Sequence, residues 1–220
     1  MAMLPPTALR GVRASLDHLL LGTADLSQGV AWVAERIGVE AVFGGRHEDL
    51  GTANYLLSLG PDVYLEILGP DPESPPRQAS LPFGIESLAE PRLVTWAARR
   101  SNLRALAAST ASRGVSLGEV RSGSRIRPAG AELRWEITDL TAFPHDGIVP
   151  FFIDWGTTPH PARTAPPGGR LLSLRAEHPN ASAVSSTLRA LSLNLEVDEG
   201  PEPALVARIR TLSGDEVELR

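Results

Sequence analysis

Two stretches of this chain repeat the same order of elements, and that repetition limits the fold more than any other feature. Residues 16–21 (LDHLLL) read as a strand. A helix follows, with Leu26, Val30, Val33, Ala34 and Ile37 at helical spacing. Thr23 is its expected N-cap, and Gly38 stands where a left-handed residue ends a helix. Residues 41–43 form a short strand entering a glycine-rich loop. Two more strands, 54–59 and 63–68, flank the turn Gly60-Pro61-Asp62. About 76 residues on, the order recurs. A strand at 93–97 precedes a helix capped by Ser101, carrying Leu103, Leu106, Ala107 and Thr110 and closed by Gly114. Strand candidates follow at 120–127, 132–138 and 150–155. Internal repetition of a supersecondary unit is a strong fold signal.

A weaker third copy is expected at the C-terminus. It comprises a strand at 171–176, a helix capped by Asn180 with Val184, Leu188 and Leu191, and strands at 193–197, 204–211 and 216–219. The organisation read from these patterns is an arm over 1–14, a first βαβββ unit over 15–72 and a linker over 73–91. A second βαβββ unit spans 92–161, and a C-terminal βα-type unit spans 170–220.

Composition narrows the chemistry. With 220 residues and 42% hydrophobic content the chain can bury a sizeable core. It has no cysteine, so disulfides, thiol catalysis and thiolate metal sites drop out. All 21 basic residues are arginine, which removes Schiff-base catalysis and a lysine phosphate loop. A net charge of −5 without any basic run argues against a nucleic-acid partner. No apolar run approaches the ~20 residues of a membrane-spanning helix. A cytoplasmic location and a small-molecule ligand are the expectations, with no membrane partner.

The strand at 63–68 alternates Tyr64, Glu66 and Leu68 on one face with Val63, Leu65 and Ile67 on the other. A lone carboxylate in an apolar strand must face water, a cation, a hydrogen-bond donor or a pocket. Upstream, Gly44-Gly45-Arg46-His47 leads into Leu50-Gly51-Thr52-Ala53-Asn54. Arg46 is suited to grip a carboxylate or phosphate, and His47 to move a proton, with Asn54 beside them. The plainer account is a solvated hairpin loop. Tyr64, Trp96 and Trp155 are candidates for an apolar substrate wall, or for ordinary core. His160, between prolines, is expected in a surface loop.

Three segments carry a family resemblance: the run from Leu16 to Pro72, then RLVTWAARR, then VPFFIDWGTTPHP. They resemble the bacterial glyoxalase-like domain proteins of the vicinal oxygen chelate superfamily, the group of glyoxalase I, extradiol dioxygenases and bleomycin-resistance proteins. The resemblance implies an α+β fold in which tandem βαβββ units form curved mixed sheets around a cavity, with a third, partial βαβ-type unit at the C-terminus. It also implies that metal ligands, where used, come from the first and last strands of each unit. In the first unit those positions hold His18 and Glu66. In the second, the first strand offers Thr95 and Trp96, and the last offers Asp154. Aligning Gly69 with Gly156 places Ile153 opposite Glu66, and a one-residue shift would reverse the face.

The implied set is His18, Glu66 and Asp154 around Fe, Mn, Ni or Zn. Its chemistry would be that of a metal-assisted lyase, isomerase or dioxygenase, with His47 and Glu66 catalytic and Arg46, Asn54, Tyr64, Trp96 and Trp155 contacting substrate. The alternative is a metal-free binding or resistance protein. A homodimer is a further expectation, and a third possibility is a structural partner domain whose C-terminal unit pairs with another subunit.

Overall fold

A computed structural model of the chain describes residues 15–74, 80–126, 132–141 and 144–220. The expected arm over 1–14 lies outside them. The first unit comprises β1 (Leu16–Gly22), α1 (Leu26–Ile37), β2 (Val42–His47), β3 (Thr52–Ser58) and β4 (Tyr64–Pro70). A 3-10 segment, Pro82–Ser87, separates it from the second unit: β5 (Arg92–Arg99), α2 (Leu103–Ala111), β6 (Arg121–Ile126), β7 (Glu132–Ile137) and β8 (Phe151–Asp154). The two units join in one eight-stranded sheet, ordered β2-β3-β4-β1-β5-β8-β7-β6. β1 and β5 pair antiparallel at its centre, and each is flanked by a parallel partner, β4 or β8. The sheet curves until its edge strands β2 and β6 lie against each other. Right-handed strand twist, accumulated over eight strands, gives a sheet this tendency to curl.

The central strands are buried on both faces, which explains why β1 reads as a continuous apolar run. Leu19 and Leu21 of β1, with Leu65 and Ile67 of β4, face the main core. His18 and Leu20, with Tyr64, Glu66 and Leu68, face the hollow of the curved sheet. The alternation expected for β4 therefore holds. α1 begins at Asp25, whose Oδ1 accepts from the Gln28 amide at 3.1 Å. Thr23 instead donates its hydroxyl to the Asp25 carbonyl, because it lies two residues too early to reach the first free amides. Gly38 ends the helix at φ 78°. α2 is likewise capped one residue later than expected, by Asn102 rather than Ser101.

β9 (Arg170–His178), α3 (Ala181–Ala190), β10 (Glu196–Glu199), β11 (Ala204–Arg210) and β12 (Glu216–Leu219) form a second sheet, ordered β10-β9-β11-β12. β9 and β10 pair in parallel across α3, so this is a βαβ-type unit followed by a hairpin. Its opening strand pairs with the strand directly after the helix, whereas β1 and β5 pair with the last strand of their units. It is thus not a third copy in topology. Its apolar face, including Leu174, Leu205 and Ile209, shares one core with Trp96, Leu93 and Ile148 of the large sheet. Each such aliphatic side chain removed from water contributes about 1.5–3 kcal/mol. The second sheet thus covers the convex side, and the concave side is left to form a pocket. No helix among the described residues is long and apolar enough to cross a membrane.

Candidate functional site

The hollow of the curved sheet holds an inner chamber of about 70 Å³ that opens into an outer one of about 590 Å³. His47, Leu50, Pro82, Phe83, Trp135, Ile137 and Leu140 border both. The floor of the inner chamber is a chain of polar side chains from four strands. His18 Nε2 lies 3.3 Å from Glu66 Oε2. Asn54 Nδ2 donates to Glu66 Oε1 at 2.6 Å. Arg125 Nη1, from the far edge strand β6, donates to Asn54 Oδ1 at 2.7 Å. All four residues are buried. The walls are apolar: Phe83, Phe151, Ile153, Trp155, Leu20 and Leu68.

A β-bulge builds the next layer. The β1–β5 register slips between Leu16 and His18, so Asp17 turns toward the same side as its neighbour instead of alternating. Asp17 Oδ1 then meets His18 Nδ1 at 2.9 Å. Its carboxylate also accepts from Arg99 Nε at 2.8 Å and from Trp155 Nε1 at 3.2 Å, and contacts His160 Nε2 at 3.2 Å. His18 is therefore held between two carboxylates, with its ring stacked on Tyr64 at 4.6 Å. His160 is buried in this layer and caps a 3-10 turn, Pro161–Arg163. It is not the surface-loop residue expected from its proline neighbours. Two prolines do fix the local backbone, but they aim the ring inward.

Burial alone would raise the Asp17 carboxyl, yet the hydrogen bonds from His160 and His18 outweigh it and hold the group far below the usual carboxylate range. Glu66 behaves alike. Burial pushes it up, but His18, His47, Arg125 and the Asn54 amide together lower it. It is ionised at neutral pH. His47 is driven the other way, to about 4, chiefly by burial, with Glu66 opposing and Arg125 and His18 assisting. It is a neutral imidazole at pH 7. Its Nδ1 lies 3.1 Å from Thr52 Oγ1. Burial, then the Glu66 and Asp17 charges, raise the Tyr64 phenol well above its ordinary value, so it stays protonated.

The structure brings together His18, Glu66, Asn54, His47, Tyr64 and Trp155 around the inner chamber. It leaves out the other three. The expected glycine-rich loop is strand β2, which runs on through His47 with a bulge at Gly44. Alternation then sends His47 inward and Arg46 outward. Arg46 pairs with Asp71 at 3.1 Å and Glu73 at 2.5 Å. Trp96 lies on the convex face, fully buried, with Nε1 donating to the Ile148 carbonyl at 2.8 Å. Asp154 accepts from the amides of Asn102 and Gly156 at 3.0 and 2.9 Å. Its neighbours Ile153 and Trp155 take the inward positions.

The register also settles which residues mirror the His18 and Glu66 pair. Thr95 pairs with Leu20 as His18 pairs with Ala97. Phe151 pairs with Ala97 as Glu66 pairs with Leu20. So Thr95 and Phe151 occupy the counterpart positions, and Phe151 rather than Ile153 stands for Glu66. Thr95 spends its hydroxyl on the Gly147 carbonyl at 3.0 Å. A divalent metal does not fit this donor set. Of the implied set only His18 and Glu66 face the chamber, Asp154 being turned away, and Arg125 puts a cation nearby. No three His, Asp or Glu side chains among the described residues are grouped to hold a metal.

Sequence reasoning missed Arg125, Asp17, Arg99, Phe83 and Phe151. Arg125 had one faint signal: it stands in RSGSRI, where the small residues Ser122, Gly123 and Ser124 separate the two arginines of a strand.

The family model described as "Glyoxalase-like domain" matches residues 16–192. No curated protein matches the sequence. Among solved structures, a hypothetical protein from Staphylococcus aureus superposes with a TM-score of 0.67 at 14% identity, covering 93% of this chain and 98% of its own. At that identity the likeness concerns the fold alone. Methylmalonyl-CoA epimerase from Mycobacterium tuberculosis is 22% identical, with 70% of this chain and 93% of that one covered and a TM-score of 0.43. A variant of the Streptomyces coelicolor methylmalonyl-CoA epimerase, in complex with 2-nitronate-propionyl-CoA, is 19% identical over 66% of this chain and 97% of that one, also at 0.43.

Proposed function

Because this chain belongs to the glyoxalase-like domain family of the vicinal oxygen chelate superfamily, we propose that its chamber binds a small oxygenated metabolite and moves a proton on it. The reaction class is isomerase or lyase chemistry beside a carbonyl. One observation carries the reading: an ionised Glu66 on β4 and a neutral His47 on β2, the strands either side of β3, face one apolar-walled chamber. Glu66 takes the proton from the carbon next to the carbonyl, and the C–H electron pair passes into the enolate. His47 stabilises the oxygen on which charge develops. In the tautomer where the Thr52 hydroxyl donates to Nδ1, Nε2 carries the proton for that purpose. Return of the proton to carbon completes an isomerisation, and departure of a β-substituent with the electron pair completes a lyase reaction. Asp17 orients His18, which in turn fixes Glu66.

We derive no step through a metal, because Asp154 is turned away from His18 and Glu66 and no three such ligands are grouped among the described residues. Elemental analysis after metal-free purification and reloading tests this; stoichiometric metal that is lost in His18→Ala would restore the metal-assisted reading.

A second reading, binding without chemistry, is favoured by Thr95 and Phe151 at the counterpart positions. The two are separated by one pair of measurements on small oxo and hydroxy acids and their amides. Ligand-induced melting shifts report binding, and NMR in deuterium oxide reports exchange of the proton beside the carbonyl. Exchange that is lost in Glu66→Gln supports catalysis. Shifts without exchange support the binding protein, and neither signal with any compound refutes both.

A further inference from the structure

Arg125 is buried to 5% exposure at the end of the inner chamber. It forms no ion pair among the described residues. Its only hydrogen bond there is Nη1 to the Asn54 side chain, and its Nε is buried with no acceptor among the described residues. The nearest carboxylate in this chain of contacts, Glu66, is reached only through Asn54. A buried guanidinium with an unanswered N–H is costly to keep, since both its charge and its donor have lost water. In arginine, Nε and Nη2 form one edge of the planar fork, the edge that meets a carboxylate through two parallel bonds. That is the edge Asn54 leaves free.

The surrounding backbone is shaped to admit this side chain. A Cβ on Gly44 would lie 2.4 Å from Asn54 Oδ1 and 2.9 Å from Arg125 Nη1. Glycine at this point of β2 is what lets the amide and the guanidinium meet across the two edges of the sheet. Beyond them the chamber is apolar, walled by Phe83, Phe151 and Trp135, and it widens into the outer volume.

We infer that Arg125 anchors the carboxylate of the ligand, so that the chamber takes a small organic acid whose apolar body lies against Phe83, Trp135 and Phe151. This rests on the chamber being a small-molecule site, and it names the class of molecule. Asn54 sits between the two anions and separates the ligand carboxylate from Glu66.

The test uses the full chain and four probe acids, acetate, butanoate, phenylacetate and phenylpyruvate, each beside its primary amide. Calorimetric titration of the wild type should show at least one acid bound about tenfold or more tighter than its amide, the strength expected of a bidentate charge-assisted contact. Arg125→Gln should bring that ratio close to one while leaving amide binding in place. Arg125→Lys, which keeps the charge and loses the fork, should restore part of it. Chloride should compete with the acids in the wild type only. If Arg125→Gln does not fold, the wild-type ratio and the lysine variant decide the matter. Amides that bind as well as acids, or an acid preference that survives Arg125→Gln, overturn the inference and leave the chamber reading standing. Acid preference without proton exchange upholds the inference and removes the catalytic reading. No binding of any probe removes both.

Discussion

Replacing Asp17 by Asn tests whether the buried layer behind the chamber is held by charge. The carboxylate is fully buried and meets four donor groups, from His18, Arg99, Trp155 and His160. Asparagine matches it in size but presents an amide to partners that all want an acceptor, and Arg99 Nε loses its counter-ion. Removing one member of a buried ion pair costs about 3–5 kcal/mol, and the residual oxygen of Asn returns part of that. A loss of roughly 3 kcal/mol at pH 7 is expected. The pH dependence has a definite sign. The folded-state carboxyl is held far below its ordinary value, so its contribution is complete above the unfolded value of about 4 and fades as pH falls below it. The wild type should therefore lose stability between about pH 4 and 2, and Asp17→Asn should lose less over that window. Urea unfolding followed by tryptophan emission measures both, and Trp155 itself reports the change because its indole N–H bonds this carboxylate. A loss under about 1 kcal/mol at pH 7, with an acid limb identical to the wild type, would mean the layer is packed rather than charged, and the reasoning fails.

Gly44→Ala should cost about 1–3 kcal/mol through overpacking and abolish the acid-over-amide preference, as read by the same titrations. His47 carries a folded-state value near 4, so the unfolded chain binds the extra proton first. Wild-type stability should thus fall as pH drops from about 6.5 toward 4, and His47→Gln should flatten that stretch of the urea-derived curve. Proton exchange by the wild type should hold steady from pH 8 to 5 and change only near 4. Trp96→Ala should lower stability by about 3–5 kcal/mol without changing the affinity for any probe acid, since this side chain faces the core; a matching fall in affinity would place it in the site.

Local patterns carried much of the fold. The repeat of strand, helix and three strands follows from apolar spacing and from glycines that stop helices, and those are properties of adjacent residues. The same is true of Glu66, whose isolation among alternating apolar neighbours marks it for the hollow, and of His18 beside it. The glycines of β2 misled for a physical reason. Gly44 serves a close approach from the opposite edge of the sheet, which looks in sequence like a loop.

What the chain order alone determined is which residues share a face within each strand, because side chains alternate whatever the strand pairs with. Only the tertiary structure decided how the strands meet. The slip that turns Asp17 to the side of His18, the register that puts Phe151 where a ligand would mirror Glu66, and the curl that carries Arg125 to Asn54 across 71 positions all depend on pairing between distant segments. Pairing is set by the sum of many contacts over the whole sheet, and no short stretch of residues contains it.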